Sequence, residues 1–260
     1  MNSHLEGVIK FMLDNKRAAN AIESKEIEYY LKDFLPIPKN VVTILTSAGG
    51  VGKTMLAIQL AIRLVAEAKN RKVLLWLTED GIGQTKKRID EILAKILTTV
   101  DVKVLENIDV IGAEGGSKLV TEEDKDDLQE AFIGYDLVVI DPLIAFYGYE
   151  SENNNKEARQ FMQMFNQIAI ENNQSILFLH HNNKGENATA RGASDFINAC
   201  RLLYKIEYIE NSNKRKITVE KENGTAKMHL GSTAVERVVM PFEFIKIDNK
   251  MEDKNGRNKH

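Results

Sequence analysis

Ser47-Ala48-Gly49-Gly50-Val51-Gly52-Lys53-Thr54 sets three glycines ahead of a lysine and a hydroxyl, between an apolar run and a second one that opens at Met55. The chemistry this spacing suits is the binding of a nucleotide's phosphates. Glycines let a loop turn its backbone N–H groups around an anion, and a helix opening at that point adds the positive end of its dipole. The lysine would reach the terminal phosphates, and the Thr54 hydroxyl would hold Mg²⁺. The nucleotide-contacting set is therefore Ala48, Gly49, Gly50, Val51, Gly52, Lys53, Thr54 and Met55. Ser47 stands where the usual pattern has its first glycine. Ala48 stands where one branch of phosphate-loop ATPases carries a second lysine, which disfavours that branch.

Hydrolysis needs groups that the loop does not supply. Tyr135-Asp-Leu-Val-Val-Ile-Asp141 reads as a buried strand ending in a carboxylate, which suits Asp141 as a further holder of Mg²⁺ through water. Pro142 follows, so the acid that activates water is not the next residue. Val73-Leu-Leu-Trp-Leu-Thr-Glu79-Asp80 is a second strand-like run, and a carboxylate at its end would orient and polarise the attacking water. The competing role for Glu79 and Asp80 is to cap a helix carrying Lys86, Lys87 and Arg88; we assign catalysis to Glu79, and capping or support to Asp80. Ser175-Ile-Leu-Phe-Leu-His180-His181-Asn182 ends a further run in paired histidines, without the Cys/His neighbours a metal site needs. A histidine there would donate a hydrogen bond towards the γ-phosphate and pass its loss to the adjoining loop, or support the site from behind.

The elements that must position these groups alternate. Strand-like runs at Val41–Thr46, Lys72–Leu77, Leu137–Ile140 and Ser175–Leu179 are separated by helix-like runs at Gly52–Ala68, Gln84–Leu97, Thr121–Phe132 and Asn154–Glu171. This is the pattern of an α/β fold with a mainly parallel central sheet flanked by helices. Thr121 to Asp124 has capping-box spacing. Leu202–Ile206, Lys216–Val219 and Val238–Ile245 are short β-like stretches that predict an antiparallel C-terminal extension. Ahead of the core, Val8, Ile9, Met12 and Leu13, then Ile27, Tyr30, Leu31 and Phe34, lie at helical spacing. Pro36 and Pro38 punctuate after them. The expected organisation is a helical arm over 1–35, a core over 36–247 and a disordered polar tail over 248–260.

Composition limits the partners. With 35 Lys+Arg against 38 Asp+Glu, the net charge of −3 excludes a surface coated in basic residues for indiscriminate polyanion binding. The one cysteine, Cys200, excludes an intrachain disulfide framework and fits a reducing compartment. No apolar run approaches the roughly 18 residues of a spanning helix, and Met1 to Lys10 lacks a signal-peptide layout. A cytoplasmic protein with no membrane partner is expected.

Glu79 beside the phosphate-loop strand, Asp141 without a following acid, and a polar strand end at His180-His181 together resemble the RecA-like P-loop NTPase core. More narrowly, the chain resembles the RepA-type hexameric replicative helicases of plasmids. The likeness runs from about Leu35 to Phe244, through the phosphate loop, Leu-Thr-Glu-Asp80, Val-Ile-Asp141, Phe-Leu-His-His181 and Ala190-Arg-Gly-Ala-Ser194. The resemblance implies a ring, a homo-hexamer, with ATP and Mg²⁺ at each subunit interface and single-stranded DNA in the channel. A replication initiator or primase would be a further partner. It implies Lys53, Thr54, Glu79, Asp141 and His180/His181 in cis, and Arg201, ten residues after Arg191, as an arginine finger reaching the neighbour's ATP; a local ion pair is the other role open to Arg201. Lys221-Glu-Asn-Gly224 resembles a Lys-x-Arg-x-Gly element of DnaB-type helicases, with Asn223 in the arginine's place; Lys221 would contact nucleotide across the interface.

Single strands would pass two loops. The one after His181 carries Lys184 and Arg191 and suits backbone contact. The one after Asp141 carries Tyr147 and Tyr149, which would stack on bases or pack against the next helix; packing is the expectation. The competing functions are a RecA-like regulatory or recombination ATPase without unwinding activity, and an ATP-switch interaction protein.

Overall fold

The structure, a computed structural model, describes residues 3–19, 26–151, 153–182, 194–209, 215–222, 233–238 and 243–248. Its first elements are α1 (Ser3–Asn15) and a ribbon in which β1 (Tyr29–Tyr30) pairs antiparallel with β2 (Ile37–Pro38). Within the expected helical arm, Val8 to Leu13 lie on α1, but the segment from Ile27 to Phe34 is not a helix despite its helical spacing. Leu31 takes a positive φ of 53°, and the turn it makes sends Tyr30, Leu31 and Leu35 into the same core that receives Ile37. The Tyr30 hydroxyl donates to Asp136 Oδ1 at 3.1 Å, while Lys39 and Arg71 lie over its ring. These contacts across the fold outweigh the local periodicity. On α1, Ile9, Phe11, Met12 and Leu13 are exposed.

Seven strands form the frame: β3 (Val42–Ser47), β4 (Val73–Leu77), β5 (Ile108–Ile111), β6 (Leu137–Asp141), β7 (Ser175–His181), β8 (Leu202–Tyr208) and β9 (Arg215–Glu222), in the order β5-β4-β6-β7-β3-β8-β9. All neighbours are parallel except β8 and β9. Leu202–Ile206 lies within β8, which pairs parallel with β3 on one side and antiparallel with β9 on the other, so the expected antiparallel C-terminal extension is formed by β8 and β9. The stretch expected as one strand over Val238–Ile245 is instead the facing ends of a hairpin, β10 (Thr233–Val238) and β11 (Glu243–Asp248). β5 escaped the sequence pattern because it is a four-residue, half-exposed edge strand interrupted by Asp109. Of the tail, residues 249–260 lie outside the described residues.

Strand residues alternate between two faces, as the two-residue period of a strand requires. Leu45, Val73, Leu75, Leu77, Leu137, Val139, Leu177 and Leu179 pack on one side with α2 (Lys53–Glu67) and α3 (Ile82–Lys95). Ile44, Leu74, Val138, Ile140, Ile176 and Phe178 pack on the other with α4 (Lys125–Ala131), α5 (Asn155–Glu171) and α6 (Ser194–Ala199). The result is an α/β fold of three layers: a mainly parallel sheet between helices. Thr121 and Asp124 do form the capping box, ahead of a short 3-10 turn that leads into α4.

Candidate functional site

The parity of the strands decides what reaches the site. Asp141 shares the face of Leu137 and Val139, His181 that of Leu177 and Leu179, and Glu79 continues the series Val73, Leu75, Leu77. That is the face against which α2 packs, so the three side chains converge on the start of α2 at the C-terminal edge of the sheet, where open α/β sheets bind ligands. Gly50 and Gly52 have φ of 72° and 114°, and this lets the loop leave β3 and turn into α2 at Lys53. The side chain of Val51 is buried in the core, so its contribution to the loop is its backbone.

A cleft of about 500 Å³ opens above the loop, lined by Gly50, Gly52, Lys53, Thr54, Met55, Glu79, Asp141 and His181. Lys53 is 5% exposed; its Nζ lies 3.0 Å from Ser47 Oγ and 3.3 Å from His181 Nδ1. An ammonium has donors only, so Nδ1 must accept, which places the ring proton on Nε2. That nitrogen sits 3.5 Å from Glu79 Oε1. A chain of polar contacts therefore links the phosphate loop to the strand-end acid: Lys53, His181, Glu79. Thr78 holds this corner, since its N–H and hydroxyl both donate to the Asp141 carbonyl, at 2.9 and 3.1 Å.

The Thr54 hydroxyl donates to Asp141 Oδ2 at 2.6 Å. Burial pushes the Asp141 carboxyl up to about 6; the Glu79 charge adds to this, while the Thr54 bond, Lys53 and His181 oppose it. Burial also lowers the Lys53 ammonium below the usual lysine range, against the pull of Asp141 and Glu79. A buried carboxylate next to a hydroxyl is a pair of hard oxygen donors suited to Mg²⁺. Among the described residues no group of three or more His, Cys, Asp or Glu could hold a metal by itself. Phosphate oxygens and water would have to supply the remaining ligands, as in a nucleotide-borne Mg²⁺.

Asp141→Asn tests that electrostatic strain. The folded-state value lies above the ordinary 3.8, so protonation favours the fold: the contribution is fully present below about pH 4 and is lost as the pH rises through 6. The variant should therefore unfold at a higher temperature than wild type at pH 8 without nucleotide, by roughly 5 °C for a gain on the order of 2 kcal/mol. That gain should shrink towards zero at pH 4. Differential scanning calorimetry across this range checks it; an equal gain at both ends would mean that charge burial is not its origin.

Several expected site residues lie elsewhere. His180 has the opposite parity to His181: it is 1% exposed, packs beside Phe196 with ring centroids 5.9 Å apart, and does not line the cleft. His180, expected in a catalytic role, therefore lies off the cleft, and His181 is the histidine that lines it. Lys221, expected at a neighbour's nucleotide, instead donates to the carbonyls of Ile197, Asn198 and Cys200 at 2.7, 2.6 and 2.9 Å. These are the orphan carbonyls at the end of α6, and they use all three ammonium protons. Glu79 and Asp80 do not cap α3: the Glu114 carboxylate accepts from Ile82 N at 3.0 Å, and Asp80 pairs with Arg88. Tyr147 is buried against Phe161 and Phe196, with Tyr149 beside it, so it packs as expected. Arg201 is exposed and its N–H donates to the Val42 carbonyl, at the N-terminal edge of the sheet and away from the cleft of its own subunit. Lys184 and Arg191 lie outside the described residues. Gln84, Lys87, Arg88 and Glu91 of α3 also line the cleft, a place the sequence reading did not give them; their i, i+3, i+4, i+7 spacing marks one helix face and was the available signal.

A glycine loop between a parallel strand and a helix, with Thr54 bonded to the buried Asp141 at its mouth, defines the chain as a P-loop NTPase. The family model AAA_25, described as an AAA domain, matches residues 10–187. The chain belongs to this family of RecA-like P-loop ATPases, and membership implies nucleotide binding, typically with Mg²⁺. The matched span holds the loop, Glu79, Asp141 and both histidines, and ends ahead of Arg191 and Arg201. No described helix is long and apolar enough to cross a membrane.

Proposed function

We propose that the protein is a subunit of an ATP-driven ring motor, a hexameric replicative helicase of the RepA type that moves along single-stranded DNA in the cytoplasm. The observation that carries this reading is the Lys53–His181–Glu79 chain around one cleft, with Thr54 and Asp141 beside it. Lys53 and the loop amides bind the phosphates, and Thr54 and Asp141 hold the cation that, when bound, neutralises charge on them. Glu79 orients water and takes its proton. When Lys53 turns to a phosphate it releases His181. The next residue, Asn182, is tied to Thr46 and to the Ser47 carbonyl, so this strand end would pass the nucleotide's presence on to the segment that carries Lys184 and Arg191. Those two residues are the proposed DNA contacts.

The ring reading adds a cation from outside the subunit. Arg88, on the cleft wall, is engaged by Asp80, and Arg201 lies a full strand length, roughly 17–20 Å, from its own loop. Arg201 can act on ATP only across an interface. Native mass spectrometry with a non-hydrolysable ATP analogue, with and without single-stranded DNA, should show a six-subunit assembly; a monomer under every condition would remove the shared sites on which the reading depends. Mixing Arg201→Ala with Lys53→Ala subunits, each inactive alone, should restore part of the turnover, because some interfaces then pair an intact loop with an intact finger. No recovery under confirmed co-assembly counts against Arg201. Slow turnover that DNA leaves unchanged favours an ATP switch over a motor.

A further inference from the structure

Two carbonyls of the phosphate loop are held from outside the cleft. Tyr208, the last residue of β8, donates its hydroxyl to the Gly50 carbonyl at 3.0 Å, and Arg215, the first of β9, donates its Nε–H to the Val51 carbonyl at 3.1 Å. The two residues face each other in the antiparallel register, and the Arg215 guanidinium lies 3.7 Å from the centre of the Tyr208 ring. Each therefore fixes the other. Arg215 is 8% exposed although its side chain is charged, so its place is built rather than incidental.

Peptide geometry turns this into an effect on the site. In a trans peptide the C=O and the following N–H point in opposite directions. The Gly50 carbonyl shares its peptide with the Val51 N–H, and the Val51 carbonyl shares its peptide with the Gly52 N–H. Anchoring both carbonyls on the outer side of the loop aims both N–H groups away from β8 and β9, towards the cleft that Gly50 and Gly52 line. Val51 is held by its buried side chain, but the glycines on either side of it, at φ of 72° and 114°, have none to hold that orientation, and unrestrained glycine has the greatest backbone freedom of any residue. We propose that Tyr208 and Arg215 are positioning residues that preorganise the phosphate-binding amides, which makes the antiparallel β8–β9 pair, beyond the 10–187 family match, part of the nucleotide site. This rests on the reading of the loop as that site.

The test compares dissociation constants of MgADP and of pyrophosphate, by calorimetry, for wild type, Tyr208→Phe, Arg215→Met and Arg215→Lys. Tyr208→Phe removes one oxygen from a half-exposed side chain and keeps the ring under Arg215. It should weaken both ligands by the same factor, about three- to tenfold, the worth of one oriented hydrogen bond. Its melting temperature without ligand should stay unchanged. Arg215→Met should weaken both further, and Arg215→Lys should recover part of that loss because an ammonium can still donate to the Val51 carbonyl. Unchanged affinities in Tyr208→Phe, with normal wild-type binding, overturn the positioning role and leave the loop's role intact. Loss confined to MgADP, with pyrophosphate unaffected, puts Tyr208 at the base and also overturns it. Failure of the wild type to bind either ligand overturns the reading of the loop itself. Should Arg215→Met not fold, Tyr208→Phe alone decides.

Discussion

Lys53→Ala is expected to give a folded protein without nucleotide-dependent activity. The lysine is the cation placed deepest in the cleft, and burial already lowers the cost of discharging it, so its ammonium is held as a charge poorly solvated by water and available to phosphate. Alanine deletes a charge-assisted contact to phosphate, the stronger class of hydrogen bond. The expected loss of turnover is at least about a hundredfold, the scale seen when one oriented donor is removed from a reacting anion. Two further changes follow from the contacts. Ser47 Oγ and His181 Nδ1 lose a donor, and Asp141 loses a positive neighbour, which raises its carboxyl further and disfavours cation binding. Arginine should not rescue, since the side chain is 5% exposed and packed between Ser47 and His181. Nucleotide titration with a fluorescent analogue, together with steady-state turnover, checks both halves. Undiminished turnover would remove the loop from the chemistry.

How far the fold was legible follows from where periodicity is decided locally. The four strands of the sheet's centre, β3, β4, β6 and β7, are continuous buried runs between amphipathic helices, and such runs identify themselves. The segment from Ile27 to Phe34 does not, because apolar residues three and four apart also suit a chain that turns at Leu31 and drops alternate side chains into a core formed by distant strands. The site shows the same division. Glu79, Asp141 and His181 were legible as strand ends, and the parity of those strands already implied that two consecutive histidines point to opposite faces. The choice between them needed to know which face carries α2. Lys221 was misplaced by motif likeness, whereas its surroundings, three carbonyls at the end of α6, exist only once β9 is laid against β8. Tyr208 and Arg215 carry no motif at all. Their effect depends on a cross-strand register and on a loop more than 150 residues earlier in the chain.

Glu79→Gln separates binding from hydrolysis. The amide keeps an oxygen that can accept from His181 Nε2–H, so the polar chain from Lys53 persists, but it can no longer take a proton from water. Binding should be unharmed or slightly tighter: Glu79 contributes negative charge next to a polyanion's site and raises the Asp141 carboxyl, and its neutralisation relieves both. Turnover should fall by about 10²- to 10⁴-fold, the usual contribution of a positioned general base. A structural role would instead change affinity and rate together, which makes the ratio of the two the informative quantity. Equilibrium binding of ATP with Mg²⁺, followed by single-turnover hydrolysis of the bound nucleotide, measures each half independently. Normal hydrolysis in this variant would move the base to another group. Of the other carboxylates that line the cleft, Asp80 pairs with Arg88 and Asp141 accepts from Thr54, which leaves Glu91, and Glu91→Gln would then be the variant that stalls. Tight binding with stalled hydrolysis would leave the strand-end acid as the group that activates water, in a site whose other parts remain intact.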